Sequence, residues 1–269
     1  MAEVTVSLED LFGLAGQVAV VTDSGACSSP DVAPVLAAAG ATVVIADAEP
    51  GRIEALARTI DASGACVVAV PTDIESEPSV LALFDQVRTR FGRLDILVNC
   101  AGVTANMDLL ETPLSIFDEQ QSVNQRSTFL LMREGIRLMR EAGRGGRIVN
   151  VTTMGTLHPV LHGNAAYSAS RAGVVAMTRS IAFDYARDRI LANCVHPGAV
   201  RSKTRFHETL QARLAAGGRM EGPGADPDRL PLGMGNGRDI AAAVLYLVGP
   251  SGGYITGQSI VLDGGFLIS

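Results

Sequence analysis

The feature that most constrains this chain is an alternation of two kinds of segment. Short β-branched apolar runs lie at 18–21, 42–46, 66–70, 96–98, 147–151, 192–195 and 259–262, separated by longer stretches rich in Ala, Leu, Glu and Arg. Near-continuous apolar strands that alternate with helices predict a parallel sheet covered on both faces. The expected fold class is therefore α/β, a doubly wound parallel sheet with right-handed crossovers. No composition shift, Pro/Ser-rich linker, internal repeat or low-complexity tract divides the 269 residues, so one domain is expected over 1–269. One extended insertion, 201–231, precedes the last helix and strand. It carries Gly217-Gly218 and the Gly222-Pro223-Gly224 turn around a short helical pattern at 208–216, a composition suited to a mobile substrate lid.

Composition narrows the partners. With 47% hydrophobic residues the chain can bury a large core, and its formal charge of -6 argues against a nucleic-acid or anionic-membrane surface. A small-molecule substrate is expected, with neither nucleic acid nor membrane as partner. Met1 to Asp10 lacks the basic and apolar regions of a secretory signal. No apolar run reaches the ~20 residues of a membrane helix. Cys27, Cys66, Cys100 and Cys194 are scattered without metal-ligand spacing, which reads as reduced thiols in a cytoplasmic protein with no metal site.

Open parallel sheets bind ligands beyond the carboxyl ends of their strands, so the polar residues there matter most. They are Asp47 after the second run, Thr72-Asp73 after the third, Asn99-Cys100-Ala101-Gly102 after the fourth, Thr152-Thr153 after the fifth and His196-Pro197-Gly198 after the sixth. An acid at the end of the second strand is where a dinucleotide-binding fold bonds its ribose hydroxyls. The other reading of Asp47 is a cap for the helix entered at Pro50-Gly51. In Tyr167-Ser168-Ala169-Ser170-Arg171 a phenol and a permanent cation stand four residues apart, on one face of a helix. A phenol titrates near pH ~10 unless a neighbouring positive charge favours its phenolate. A helix surface where the two never meet a ligand is the bland alternative.

From about residue 14 to 266 the chain resembles the short-chain dehydrogenase/reductase family. The resemblance is carried by Leu94-Asp95-Ile96-Leu97-Val98-Asn99-Cys100-Ala101-Gly102, Ser122-Val123-Asn124, Gly146-Arg147-Ile148-Val149-Asn150-Val151-Thr152-Thr153 and Tyr167 to Arg171. His196-Pro197-Gly198, Pro231-Leu232-Gly233, Asp239-Ile240-Ala241, Tyr254-Ile255-Thr256-Gly257-Gln258 and Asp263-Gly264-Gly265 complete it. It implies a single Rossmann-like domain and hydride transfer between a nicotinamide and a small carbonyl or secondary alcohol. In that scheme Tyr167 is the general acid or base, Thr153 holds the substrate oxygen, Arg171 replaces a lysine and Asn124 anchors a water relay, with backbone bonding between helix and sheet as its other reading. The Thr153–Tyr167 interval is a residue longer than the family pattern, and Thr152 stands as the alternative. Cofactor contacts are implied for Thr22, Ser24, Gly25, Asp47, Asp73, Asn99, Ala101, Gly102, Pro197, Gly198, Val200 and Ser202. NAD is implied over NADP, because Asp47 would repel a 2'-phosphate. His158 and His162 are candidate substrate contacts, with loop surface as the alternative; Met107, Met154 and Phe206 are candidate pocket walls, with packing as theirs. A homotetramer is implied through helices at 112–141 and 165–187 and the closing segment 255–269.

Two departures bear on this scheme. In Thr22-Asp23-Ser24-Gly25-Ala26-Cys27-Ser28-Ser29-Pro30, Asp23, Cys27 and Ser29 occupy the three glycine positions of the phosphate-binding turn. A carboxylate ~5 Å from a phosphate at an effective dielectric of ~20 would cost about 3 kcal/mol. Pro34 in the following helix removes an interior hydrogen bond, which predicts a helix that begins late. The second departure is Arg171, which keeps a lysine's charge but does not readily release a proton. The expectation is an NAD-linked oxidoreductase of reduced activity. Its alternative is a non-redox protein on the same scaffold, such as a ligand-binding module or a subunit paired with an active homologue.

Overall fold

A computed structural model of the protein describes residues 6–22, 29–201 and 221–269. A short helix, α1 (Leu8–Phe12), is closed by a capping box between Ser7 and Asp10 and leads into β1 (Val18–Thr22). The chain then alternates through α2 (Ser29–Ala38), β2 (Thr42–Asp47), α3 (Pro50–Ile60), β3 (Val67–Pro71), α4 (Glu77–Phe91) and β4 (Ile96–Asn99). A long helix follows in three pieces: α5 (Leu114–Gln120), a π-helical turn (Gln121–Arg126) and α6 (Ser127–Ala142). Then come β5 (Gly146–Val151), α7 (Ala165–Asp184), β6 (Ile190–Pro197), β7 (Val200–Arg201), β8 (Gly235–Asn236), α8 (Gly237–Val248) and β9 (Ser259–Leu262).

Seven strands form one parallel sheet in the order β3-β2-β1-β4-β5-β6-β9, and β7 pairs with β8 in a separate ladder. The expected doubly wound sheet is thus present. Period-two alternation decides which helices cover which face. Ala19, Val21, Val43 and Ile45 join a core cluster with residues of α2, α3 and α8, while Val18, Val20, Val44 and Ala46 join another with α4 and α6. Both faces of β1 and β2 are therefore dry, which is why these strands read as unbroken apolar runs.

The long helix expected at 112–141 is interrupted by the π turn, and the one expected at 165–187 ends at Asp184 before a 3-10 turn, Ala186–Asp188. The helix expected to begin late does not. It starts at Ser29 and runs through Pro34, which deprives only the Pro30 carbonyl of its i+4 donor. The pattern at 208–216 lies outside the described residues. The remainder of the expected lid, from Glu221, consists of short 3-10 turns, Pro223–Ala225 and Pro227–Arg229.

Candidate active site

The strand order reverses between β1 and β4, which opens a crevice at their carboxyl ends. Thr22 closes the floor: its buried hydroxyl accepts from the backbone N–H of Cys100 at 3.1 Å and of Ala101 at 3.4 Å. Ser24, Gly25, Asp23 and Cys27 lie outside the described residues, as do Ser202 and Phe206.

Asp47 ends β2 and is only 5% exposed. One carboxylate oxygen accepts from the Glu49 N–H at 2.8 Å, and the other lies 2.7 Å from an Arg52 guanidinium nitrogen. The carboxylate thus holds the turn that precedes α3 without capping the helix, whose N-cap, Glu49, makes no side-chain cap bond. Arg52, which sequence reasoning did not single out, is its ion-pair partner. Asp73 follows β3, the edge strand, with its side chain accepting from the Glu75 N–H at 3.0 Å.

The loop after β4 meets α7 through Arg171. This side chain is buried, and one terminal nitrogen donates to the Ala101 carbonyl at 3.1 Å. The guanidinium carbon sits 5.6 Å from the centroid of the Tyr167 ring, within cation–π range. A Cβ on Gly102 would collide with the same guanidinium, so the glycine here makes room for the arginine. Arg171 Nε is buried without a partner.

Asn124 lies in the π turn with its side chain fully employed. Its Oδ1 accepts from the Val103 N–H at 2.8 Å, and its Nδ2 donates to the Val103 carbonyl at 2.8 Å and to Ser170 Oγ at 2.9 Å. This is the bonding of a brace, pinning the post-β4 loop to helix α7.

The two threonines after β5 separate clearly. Thr152 is buried, and its hydroxyl is engaged by the Val195 carbonyl at 3.2 Å and by His196 Nδ1. Thr153 is partly exposed, and its hydroxyl accepts from the Gly155 N–H at 3.1 Å. Pro197 ends β6, and Gly198 donates to the Leu262 carbonyl at 2.8 Å with its α-carbon facing Met154 and Asp263 too closely for a Cβ. Val200 belongs to the small β7–β8 ladder. Met154 is buried, Met107 is half-exposed, His158 packs edge-on to Phe266, and His162 is tied by its backbone to Glu221.

Beneath this crevice runs a row of polar side chains; sequence reasoning took Thr22 and Asn99 in it as cofactor contacts and missed the row itself. Thr22, Asn99, Asn150 and Cys194 stand opposite one another across β1, β4, β5 and β6. Asn99 Nδ2 donates to Asn150 Oδ1 at 2.7 Å, Asn150 Nδ2 to Thr178 Oγ1 at 2.8 Å, and the Cys194 thiol to the same hydroxyl at 3.3 Å. Burial pushes the Cys194 thiol up to about 11, so it serves as a packed donor rather than a nucleophile. Asn99 Oδ1 is left without a partner. The available signal was an asparagine interrupting each of two adjacent apolar strands at one register. Among the described residues no cluster of three or more His, Cys, Asp or Glu is placed to hold a metal ion.

This fold, with a carboxylate ending the second strand and a tyrosine backed by a buried cation beside the strand ends, defines a class: oxidoreductases that move a hydride to or from a nicotinamide. A family model described as enoyl-(acyl carrier protein) reductase matches residues 30–267, beginning at the end of the altered turn. The chain belongs to the short-chain dehydrogenase/reductase family. It is 32% identical over 257 residues to the 3-oxoacyl-[acyl-carrier-protein] reductase FabG of Aquifex aeolicus, covering 94% of this chain and 98% of that protein. The BbsD subunit of a (2S)-[(R)-hydroxy(phenyl)methyl]succinyl-CoA dehydrogenase from Thauera aromatica is likewise 32% identical over 257 residues, with 94% and 98% covered. A short-chain type dehydrogenase/reductase from Mycobacterium marinum superposes with a TM-score of 0.87 at 30% identity, over 98% of this chain and 100% of that one.

Proposed function

We propose that this oxidoreductase uses NAD in preference to NADP to interconvert a small carbonyl compound and a secondary alcohol, with Tyr167 handling the proton. The observation that carries the reading is the buried Arg171 guanidinium against the Tyr167 ring at the crevice. The residues fit a dinucleotide. Asp47 ends the second strand, where such a fold bonds a ribose, and Arg171 Nε, beside the loop after β4, is a buried donor with no partner among the described residues. By their places at the strand ends, Thr22, Asp73, Asn99, Ala101, Gly102, Pro197, Gly198 and Val200 would contact the dinucleotide. Ser24, Gly25 and Ser202 complete the proposed contacts by their sequence positions. A bound nicotinamide supplies the hydride or accepts it.

The protein's part is orientation and proton handling. Tyr167 gives its phenolic proton to the carbonyl oxygen in reduction and takes it back in oxidation. Thr153 donates a second hydrogen bond to that oxygen; Thr152 is committed elsewhere. Arg171 sets its fixed charge against the Tyr167 ring, and Asn124 braces the loop that Arg171 rests on. The named relatives are oxidoreductases, which favours hydride transfer over the non-redox alternative. NAD preference rests on the Asp47 carboxylate, which repels a 2'-phosphate. A tetramer is supported by apolar side chains exposed on α5 and α7, among them Leu114 at 79% and Phe183 at 85%. A cytoplasmic location is supported by the free thiols of Cys66 and Cys194.

Isothermal titration with NADH and NADPH tests the cofactor: NADH is expected to bind more tightly, and no heat from either at millimolar concentration sinks the proposal. Tyr167→Phe is expected to abolish turnover while leaving cofactor affinity unchanged.

A further inference from the structure

Tyr167 is the third residue of α7, a place where a helix is ordinarily loose. The first turn has no intrahelical partners for its N–H groups and depends on a cap. Here the N-cap residue, Asn164, makes no side-chain cap bond, and the turn carries no acidic residue to complement the helix dipole. The Asn164 side chain is instead occupied as acceptor for Asn106 Nδ2 at 2.7 Å. Order at Tyr167 therefore has to come from outside this first turn.

Two side chains supply it, one on each side of the tyrosine. Gln121, first residue of the π turn, donates from Nε2 to the Ala166 carbonyl at 3.3 Å. Ser170, fully buried, donates from Oγ to the Tyr167 carbonyl at 2.8 Å while accepting from Asn124 Nδ2 at 2.9 Å. The consecutive carbonyls of Ala166 and Tyr167 are thus both tied to the π turn, one directly and one through Ser170. Further along the same face of α7, the Gln125 amide lies against Gly173, where a Cβ would meet it at 2.5 Å. Residues 121, 124 and 125 of the π turn so engage positions 166, 170 and 173, a four-three spacing that marks one helix face.

We propose that Gln121 and Ser170 are positioning residues for Tyr167, and that the π turn is the platform from which they act. This rests on the reading of Tyr167 as proton donor. The energetic logic is that of pre-organisation: a reacting group displaced by about 1 Å costs on the order of a hundredfold in rate. A side chain on a loosely held first turn samples such displacements.

Gln121→Leu keeps the bulk and removes the donor at a partly exposed position, so it leaves the core intact. Three measurements on the full-length protein decide the proposal. Hydrogen exchange of the amides at 165–169 should accelerate at least about tenfold, with α6 and β5 unchanged. Turnover of a test ketone with NADH should fall roughly tenfold in kcat with cofactor Kd unchanged. The Tyr167 phenol, followed by difference absorbance against Tyr167→Phe, should titrate at a different pH from wild type. Ser170→Ala should behave in the same way. Wild-type exchange at 165–169 together with an unmoved phenol titration in Gln121→Leu overturns the proposal. So does a loss of kcat accompanied by equal loosening of β5 and α6, which marks a general stability role. If wild-type protein neither binds nor turns over cofactor, the oxidoreductase reading fails, while exchange and phenol titration still decide whether these residues hold Tyr167.

Discussion

Arg171 and Gly102 are a matched pair, and each should be intolerant of change in its own way. Gly102→Ala puts a methyl group into the guanidinium. The expected cost is about 1–3 kcal/mol of overpacking, read as a lower urea midpoint, and Arg171→Met in the same chain should recover most of it. Arg171→Lys restores a compact ammonium and removes the orphaned Nε. It should raise kcat several-fold with little change in stability, measured by NADH oxidation and thermal melting; an unchanged or lower kcat would show that the site is built around the fork. His196 makes a second residue-scale prediction. It is fully buried, and burial, followed by the charge of Arg179, holds its imidazole down at about 4. An imidazole in the unfolded chain titrates near ~6.5. As pH falls, the unfolded state takes up the proton first, so stability is intact above about 6.5, declines from there to about 4, and levels off below. His196→Gln, which keeps a polar partner for Thr152, should flatten the melting-temperature profile between those two pH values.

At the scale of elements, the polar row under the crevice ties β4, β5 and β6 to α7. Asn150 is its hub, bonded to Asn99 on one side and Thr178 on the other. Asn150→Ala strands the Asn99 amide in a dry core, at about 1–3 kcal/mol for each buried polar group left unpaired; equilibrium urea unfolding checks it. The sheet, its helices and the residues at the strand ends were legible in the sequence, because apolar periodicity and turn chemistry are local signals. Strand ends were read short at Thr22, Asp47, Asn99 and Pro197, since a polar residue or proline interrupts an apolar pattern without interrupting a backbone ladder. The π turn was invisible: it adds a residue to one helical turn, and Gln121 to Arg126 have the composition of any amphipathic helix. That Asn124 would bond backbone between helix and sheet was legible; its particular partners were not. Its partners, Val103 and Ser170, are distant in sequence and meet it only through the packing of α7. The steric reason for Gly102 was hidden too, because it depends on where the Arg171 side chain folds back.

At the scale of the molecule, the helices expected to pair between subunits mostly turn their apolar stripes inward: Leu130, Leu131, Met132, Ile136, Leu138 and Met139 of α6 are buried within the chain. What remains outside is narrower. Leu110, Leu114 and Phe129 flank the π turn, and Phe183 lies near the end of α7. Leu114→Glu with Phe129→Glu should lower the sedimentation coefficient if this strip holds the subunits together, and should leave thermal unfolding of the separated chain nearly unchanged. The position of β9 has a consequence for synthesis. It is made well after β6, and it pairs along β6 from Cys194 to Pro197. Until Ser259 has left the ribosome, the outer edge of β6 stays unpaired between apolar faces, a template for any other nascent strand. A chain that stopped short of Ser259 would therefore yield a sheet complete but for its outermost strand, more prone to aggregate than a much shorter fragment.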